Sequence, residues 1–177
     1  MKNLELKAKC SSLESVRHQL VNIKAEYRET VEQIDTYFNA PKGRVKLREI
    51  DGGKAYLVYY ERPNAAESRF STYQIWDIPT PAAFKEIMST VLGVKVTVEK
   101  LRELWLYGDT RIHLDRVANL GEFVELETVI RNQTAREAWT EHHLVKDSLE
   151  ILEEDLIAES YSDLFSELEK GNGKEKK

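Results

Sequence analysis

Strict alternation of charged and apolar residues, repeated in one segment after another, limits this chain more than any other feature. The first instance is NLELKAKC, in which Leu4, Leu6, Ala8 and Cys10 alternate with Asn3, Glu5, Lys7 and Lys9. A period of two belongs to a β-strand with one dry face and one wet face. GRVKLREI sets Val45 and Leu47 against Arg44, Lys46 and Arg48, and TRIHLDRV sets Ile112 and Leu114 against Arg111, His113 and Asp115. FVELETVI sets Val124, Leu126, Thr128 and Ile130 against Phe123, Glu125 and Glu127. Further strands are predicted over residues 33–39, 54–62, 68–76 and 96–107. Asp51-Gly52-Gly53 reads as a hairpin turn, because glycine accepts positive φ without a Cβ penalty.

Helical spacing is rarer. Ser11 or Ser12 can cap a helix through about Glu26, with Leu13, Val16, Leu20 and Ile23 on one face. Thr80 and Pro81 open a second helix that Gly93 closes; Thr134 caps a third through Leu152, and Ser160 a short last one. His142 and His143 fall in the third helix and are expected at the surface, and Tyr161 is expected to pack without chemistry. No helical pattern separates the strands between Val96 and Ile130, so antiparallel pairing is predicted there.

The polar faces of these strands decide the architecture. Solvated strand faces usually carry Thr, Ser and Gln; here they carry charged pairs at i and i+2, strand after strand. The economical arrangement is an α+β fold: a closed eight-stranded antiparallel barrel with a charged lumen and amphipathic helices on its apolar exterior. It is expected as one domain over residues 1–170, followed by a disordered tail, 171–177. The candidate lumen cations are Lys7, Lys46, Arg48, Arg62, Arg69, Lys100, Arg102 and Arg111; the candidate anions are Glu5, Asp115, Glu125 and Glu127. Buried charges are costly unless they pair or hold something. A cation surplus beside clustered carboxylates suits a polyphosphate carrying a divalent metal, Mg²⁺ or Mn²⁺.

Several classes are disfavoured. At 177 residues with a formal charge of −5, the chain is unlike a generic, basic nucleic-acid binder. One cysteine, Cys10, excludes an internal disulfide framework and a cysteine-based zinc site. No apolar run approaches the roughly 20 residues of a membrane span, and the start lacks a signal peptide's apolar region, so a cytoplasmic location is expected.

The first strand resembles the E-x-E-x-K signature of the CYTH superfamily, the triphosphate tunnel metalloenzymes. The likeness extends through QIDTYFN, VKLRE, LVYYERP, VEKLREL, RIHLDRV and LGEFVELE to SYSDL near Tyr161. The resemblance implies a barrel enclosing a tunnel and a metal-dependent hydrolase of inorganic tripolyphosphate or an organic triphosphate such as thiamine triphosphate. A class IV adenylyl cyclase and a non-catalytic triphosphate or nucleotide-binding module are its alternatives.

By the same resemblance Glu5, Asp115, Glu125 and Glu127 would hold Mg²⁺ or Mn²⁺. Lys7, Lys46, Arg48, Arg62, Arg69, Lys100, Arg102 and Arg111 would hold phosphate, and Glu5, Lys7 and Glu127 would act in catalysis. The partner implied is a small-molecule triphosphate, with a homodimer left open. One departure stands out: the signature's first glutamate is Asn3, an oxygen donor without charge.

Overall fold

Each alternating segment forms a strand, and the strands close on one another. The computed structural model describes residues 2–131 and 133–172. In chain order the elements are β1 (Lys2–Lys9), α1 (Leu13–Asn22), β2 (Glu26–Phe38), β3 (Arg44–Ile50), β4 (Lys54–Glu61) and β5 (Arg69–Asp77). They continue with α2 (Pro81–Leu92), β6 (Val94–Tyr107), β7 (Thr110–Val117), β8 (Gly121–Val129), α3 (Ala135–Ser148) and α4 (Tyr161–Asn172). The hydrogen-bonded order is β1-β5-β4-β3-β2-β6-β7-β8, and β8 returns to β1 to complete an antiparallel barrel. Gly52 and Gly53, at φ +82° and +85°, make the β3–β4 turn.

Three helix ends are set by identifiable caps. The Ser12 hydroxyl accepts from the Ser15 N–H at the start of α1. Thr134 and Glu137 exchange side-chain and backbone bonds in a capping box that opens α3. Ser160 and Asp163 do the same at α4, where the Asp163 N–H donates to the Ser160 hydroxyl at 3.3 Å. Two helices are shorter than their periodicity predicts. α1 ends at Asn22 because Lys24 takes φ +60°, which frees Glu26 onward to pair with β6. α3 stops at Ser148, before Glu150 at φ +54°.

The apolar core lies mostly outside the barrel. Leu6, Ile112, Leu114, Val124 and Leu126 point outward and are covered by Leu13, Val16 and Leu20 of α1 and Val145 of α3. Phe84, Met88 and Leu92 of α2 cover Phe38, Leu47 and Ala55. Burying a leucine-sized side chain is worth about 1.5–3 kcal/mol, so these helices supply the free energy that permits a polar interior. A third cluster sits inside one end: Tyr37, Val98, Val117, Phe123 and Tyr161, backed by Leu164 and Phe165 of α4. That end is therefore sealed by an apolar plug.

His142 corrects a surface expectation. It is fully buried under α3, with Nδ1 2.9 Å from the Thr128 hydroxyl and Nε2 3.1 Å from the Ser68 hydroxyl, and burial pushes its pKa down to about 3. Its neighbour His143 is exposed. Among the described residues no helix is long and apolar enough to cross a membrane. The expected tail from Gly171 falls, from residue 173 on, outside the described residues.

Candidate active site

The inward faces of the strands line an enclosed cavity of about 160 Å³. Period two fixes which side chains enter it: Glu5 and Lys7 from β1, Lys46 and Arg48 from β3, Lys100 and Arg102 from β6, Arg111 from β7, and Glu125 and Glu127 from β8. Arg62, just past β4, and Arg69, at the start of β5, complete the charged lining. Exposure rises along the bore. Lys100 and Lys46 are 1% and 8% exposed next to the plug, whereas Arg48 and Arg111 reach 22% and 31% at the other end, which is the open mouth.

Cross-strand register brings opposite charges together. Asp115 faces Arg102 in the β6–β7 ladder and receives Nε at 2.6 Å on one oxygen and Nη2 at 2.5 Å on the other. Its Oδ2 also lies 3.4 Å from Lys100 Nζ and accepts from the Tyr161 hydroxyl at 2.8 Å. Burial alone would raise this carboxyl; Arg102 and Lys100 overcome that and hold it at about 2. Asp115 is fully buried and stands behind the lining, with both oxygens taken, so it meets cations where a metal was expected.

Asp35 is the counterpart that sequence reasoning missed. It faces Arg48 across β2 and β3, accepts from Arg48 Nε at 2.9 Å and from Lys46 Nζ at 2.7 Å, and is fully buried. Those cations outweigh burial and hold its carboxyl well below the ordinary range. The signal was present: in QIDTYFN, Gln33, Asp35 and Tyr37 alternate with Ile34, Thr36 and Phe38. Tyr161 was also underrated. Its ring centroid lies 3.5 Å from Lys7 Nζ and 4.9 Å from Lys100 Nζ, so two buried lysines contact one aromatic ring.

The carboxylates nearer the mouth are less fully engaged. Glu5 lies across from Glu127 in the β1–β8 pairing, and Lys7 across from Glu125. Arg62 Nε is 3.0 Å and Arg69 Nε 3.5 Å from Glu5 Oε1. Burial raises the Glu5 pKa and the nearby Glu127 and Glu125 charges add to the rise, outweighing Arg62 and Arg69. Glu127 accepts from Arg111 Nη2 at 2.7 Å, and Arg111 with His113 holds it low despite burial. Glu125 is 3.2 Å from Lys7 Nζ and bonded to Arg102 Nη2. The two facing carboxyls, Glu5 and Glu127, are thus driven in opposite directions.

Several buried donors remain unsatisfied. Arg69 Nε and Nη2, Arg111 Nε and both nitrogens of His113 have no hydrogen-bond partner among the described residues. All three side chains line the cavity. Buried unsatisfied donors cost about 1–3 kcal/mol each, and more when charged. Such groups aimed into a cavity are satisfied by an anionic ligand.

A CYTH domain model matches residues 1–161. The chain belongs to the CYTH family. This CYTH chain shares its fold with the PH1012 protein of Pyrococcus horikoshii at TM-score 0.82 and 23% identity, covering 92% of this chain and 98% of that one. An adenylate cyclase-like protein of Vibrio parahaemolyticus aligns at TM-score 0.74 and 18% identity over 93% of this chain and 97% of that one. HpAC1 of Hippeastrum, an adenylyl cyclase by designation with a dominant triphosphatase activity, aligns at TM-score 0.58 and 12% identity over 82% and 87%. No curated protein matches the sequence.

The donors present suit a hard divalent cation. Among the described residues no three His, Cys, Asp or Glu form a closed metal cage. Mg²⁺ does not require one, since it commonly uses one or two carboxylates together with substrate phosphates and water. Glu5 and Glu127, adjacent across β1 and β8, offer those carboxylates. Asn3 lines the same cavity, and its buried Oδ1 has no hydrogen-bond partner among the described residues.

Proposed function

We propose that this CYTH protein is a metal-dependent hydrolase of triphosphates bound along the bore. The observation that carries the reading is the set of buried guanidinium N–H donors on Arg69 and Arg111 that have no hydrogen-bond partner among the described residues, within a lining richer in cations than in carboxylates. Such a site binds an extended polyanion and rejects neutral or cationic molecules. Lys7, Lys46, Lys100 and Arg102 hold the phosphate chain towards the plug, while Arg48, Arg62, Arg69 and Arg111 hold it nearer the mouth.

Glu5, Glu127 and the Asn3 oxygen would hold Mg²⁺ or Mn²⁺, which supplies charge neutralisation at the attacked phosphoryl group. Asp35 and Asp115 keep the deep cations in place and do not touch substrate in this assignment. The guanidinium groups stabilise the charge that spreads over the equatorial oxygens in the transition state. Glu5 would orient the attacking water from its place beside the metal.

A drug-sized ligand needs about 300–1,000 Å³, whereas this cavity offers about 160 Å³. That volume suits a phosphate chain and leaves an attached nucleoside at the mouth. Tripolyphosphate, thiamine triphosphate and ATP, each with Mg²⁺ or Mn²⁺, are the substrates to compare. Release of phosphate, abolished by Glu127→Gln, is the expected result. Cyclic AMP and pyrophosphate from ATP would replace the hydrolase with a cyclase. Tight binding of all three without any turnover would leave a binding module.

A further inference from the structure

The charges of the bore do not balance among themselves. Below about pH 7, where Lys46 keeps its proton, eight cationic side chains among the described residues line the bore, and five carboxylates meet them, counting Asp35 and Asp115 behind the wall, which leaves three positive charges in excess when every group is ionised. Fully ionised inorganic tripolyphosphate carries about five negative charges, and one bound divalent ion brings this to about three. Two ions would leave about one, which would not neutralise the bore. The excess matches one ion.

The carboxylates are also not free to receive a bare cation. Glu5 lies 3.0 Å from Arg62, Glu125 lies 3.2 Å from Lys7, and Glu127 lies 2.7 Å from Arg111. A divalent ion arriving alone must displace an arginine or lysine from each carboxylate while facing a net positive wall. Arriving on a triphosphate, it comes with the anion that those cations can turn to. The Tyr161 and Phe123 plug closes the deep end, so metal and phosphate share the open mouth as their path.

Asn3 adds an oxygen to this lining without adding charge. It is 2% exposed, lines the cavity two residues from Glu5, and presents an Oδ1 without a hydrogen-bond partner among the described residues. We propose that the bore takes its triphosphate together with a single divalent cation, and that Asn3 contributes an uncharged oxygen that keeps the count at one. The inference rests on the triphosphate reading and extends it to stoichiometry and order of binding. A carboxylate at position 3 would cut the positive excess to two. It would also stand beside Glu5 and diagonal to Glu127 with no cation of its own, the condition under which a second ion, or an ion before phosphate, becomes favourable.

The test is a Mn²⁺ titration of the full chain, with and without a tripolyphosphate whose bridging oxygens are replaced by imido groups so that it is not cleaved. Electron paramagnetic resonance counts free Mn²⁺, and calorimetry gives the stoichiometry. The wild-type chain should bind no Mn²⁺ alone below about 1 mM and one per chain with the analogue. Asn3→Glu should bind a second Mn²⁺, or bind Mn²⁺ without the analogue at least about tenfold more tightly than wild type. Two ions in the wild type, or Mn²⁺ bound tightly before the analogue, overturns the inference, and this holds whether or not the variant folds. A folded Asn3→Glu chain that behaves as wild type removes Asn3 from it. Absence of any analogue binding, with or without Mn²⁺, rejects the triphosphate reading itself.

Discussion

The two ends of the bore hold the same kinds of residue in different states. Near the plug, Asp35 and Asp115 are fully buried, and every carboxylate oxygen meets a lysine, an arginine or the Tyr161 hydroxyl. Towards the mouth, Glu5 has only arginine neighbours on one oxygen, while Arg69, Arg111 and His113 keep donors without partners among the described residues. A carboxylate's role here follows from how fully its oxygens are engaged. Saturated ones are framework, and unsaturated ones are available for chemistry.

The sharpest way to break this comparison is to neutralise a saturated carboxylate. Asp115→Asn removes the carboxylate that Arg102 and Lys100 share, leaving Arg102 with Glu125 and Lys100 with Asp35 at 3.8 Å, and loss of one partner of a buried pair costs about 3–5 kcal/mol. Chemical denaturation of the unliganded protein should show that loss. A stability unchanged within error would mean that Asp115 is not structural and return it to the metal-ligand set. Glu127→Gln at the mouth should do the reverse. Turnover of tripolyphosphate should fall about 10²–10³-fold, while the denaturation midpoint drops by less than in Asp115→Asn, because the Glu127–Arg111 pair is partly exposed.

Ligand-induced stabilisation sharpens the comparison further. A ligand that binds only the folded state adds about 2.7 kcal/mol at a hundredfold excess over its Kd, so tripolyphosphate should raise Tm. Arg69→Ala and Arg111→Ala should remove most of that rise and leave the unliganded Tm close to wild type, because part of each guanidinium has no hydrogen-bond partner among the described residues. A large drop in unliganded Tm would make them structural.

A pH series separates the deep lysine from its neighbours. Lys46 is surrounded by Asp35 and Tyr37 of β2, Arg48 of β3, Tyr60 of β4 and Lys100 of β6. Burial first, then Arg48 and Lys100, lower its pKa from 10.5 to about 7, against the pull of Asp35. Between about pH 7 and 10 the unfolded chain therefore holds a proton at Lys46 that the folded chain has lost, so this group makes stability rise with pH in that window. Tripolyphosphate affinity should fall over the same range, as the ammonium becomes harder to charge. Lys46→Met should flatten both trends, and a wild-type affinity constant from pH 7 to 9 would count against the assignment. The smallest effect lies outside the bore: Thr134→Ala removes the capping-box hydroxyl of α3 and should cost about 1 kcal/mol, with turnover unchanged.

Much of this molecule is written in period two. In Lys46 and Arg48, or Glu125 and Glu127, alternation alone shows which residues share a face, and the repetition of charge on that face argues for an enclosed lumen. The first half of β2 was not legible. Glu26 to Glu32 is charged and largely solvent-exposed, so no dry face marks it as a strand; its partner in β6 does. His142 was misread for a related reason. A polar residue on a helix is buried only where facing hydroxyls exist to bond it, and Thr128 and Ser68 come from distant parts of the chain.

By itself, then, the sequence determined the strands, the face on which each charge lies and the family signature around Glu5 and Lys7, because those depend on spacing along the chain. Only the tertiary structure decided which end of the bore is sealed, that Asp115 and Asp35 are consumed by cations, and that Asn3, Arg69 and Arg111 keep atoms without hydrogen-bond partners among the described residues. Those properties depend on distances between strands far apart in the chain. Saturation of a buried charge is set by its neighbours in space.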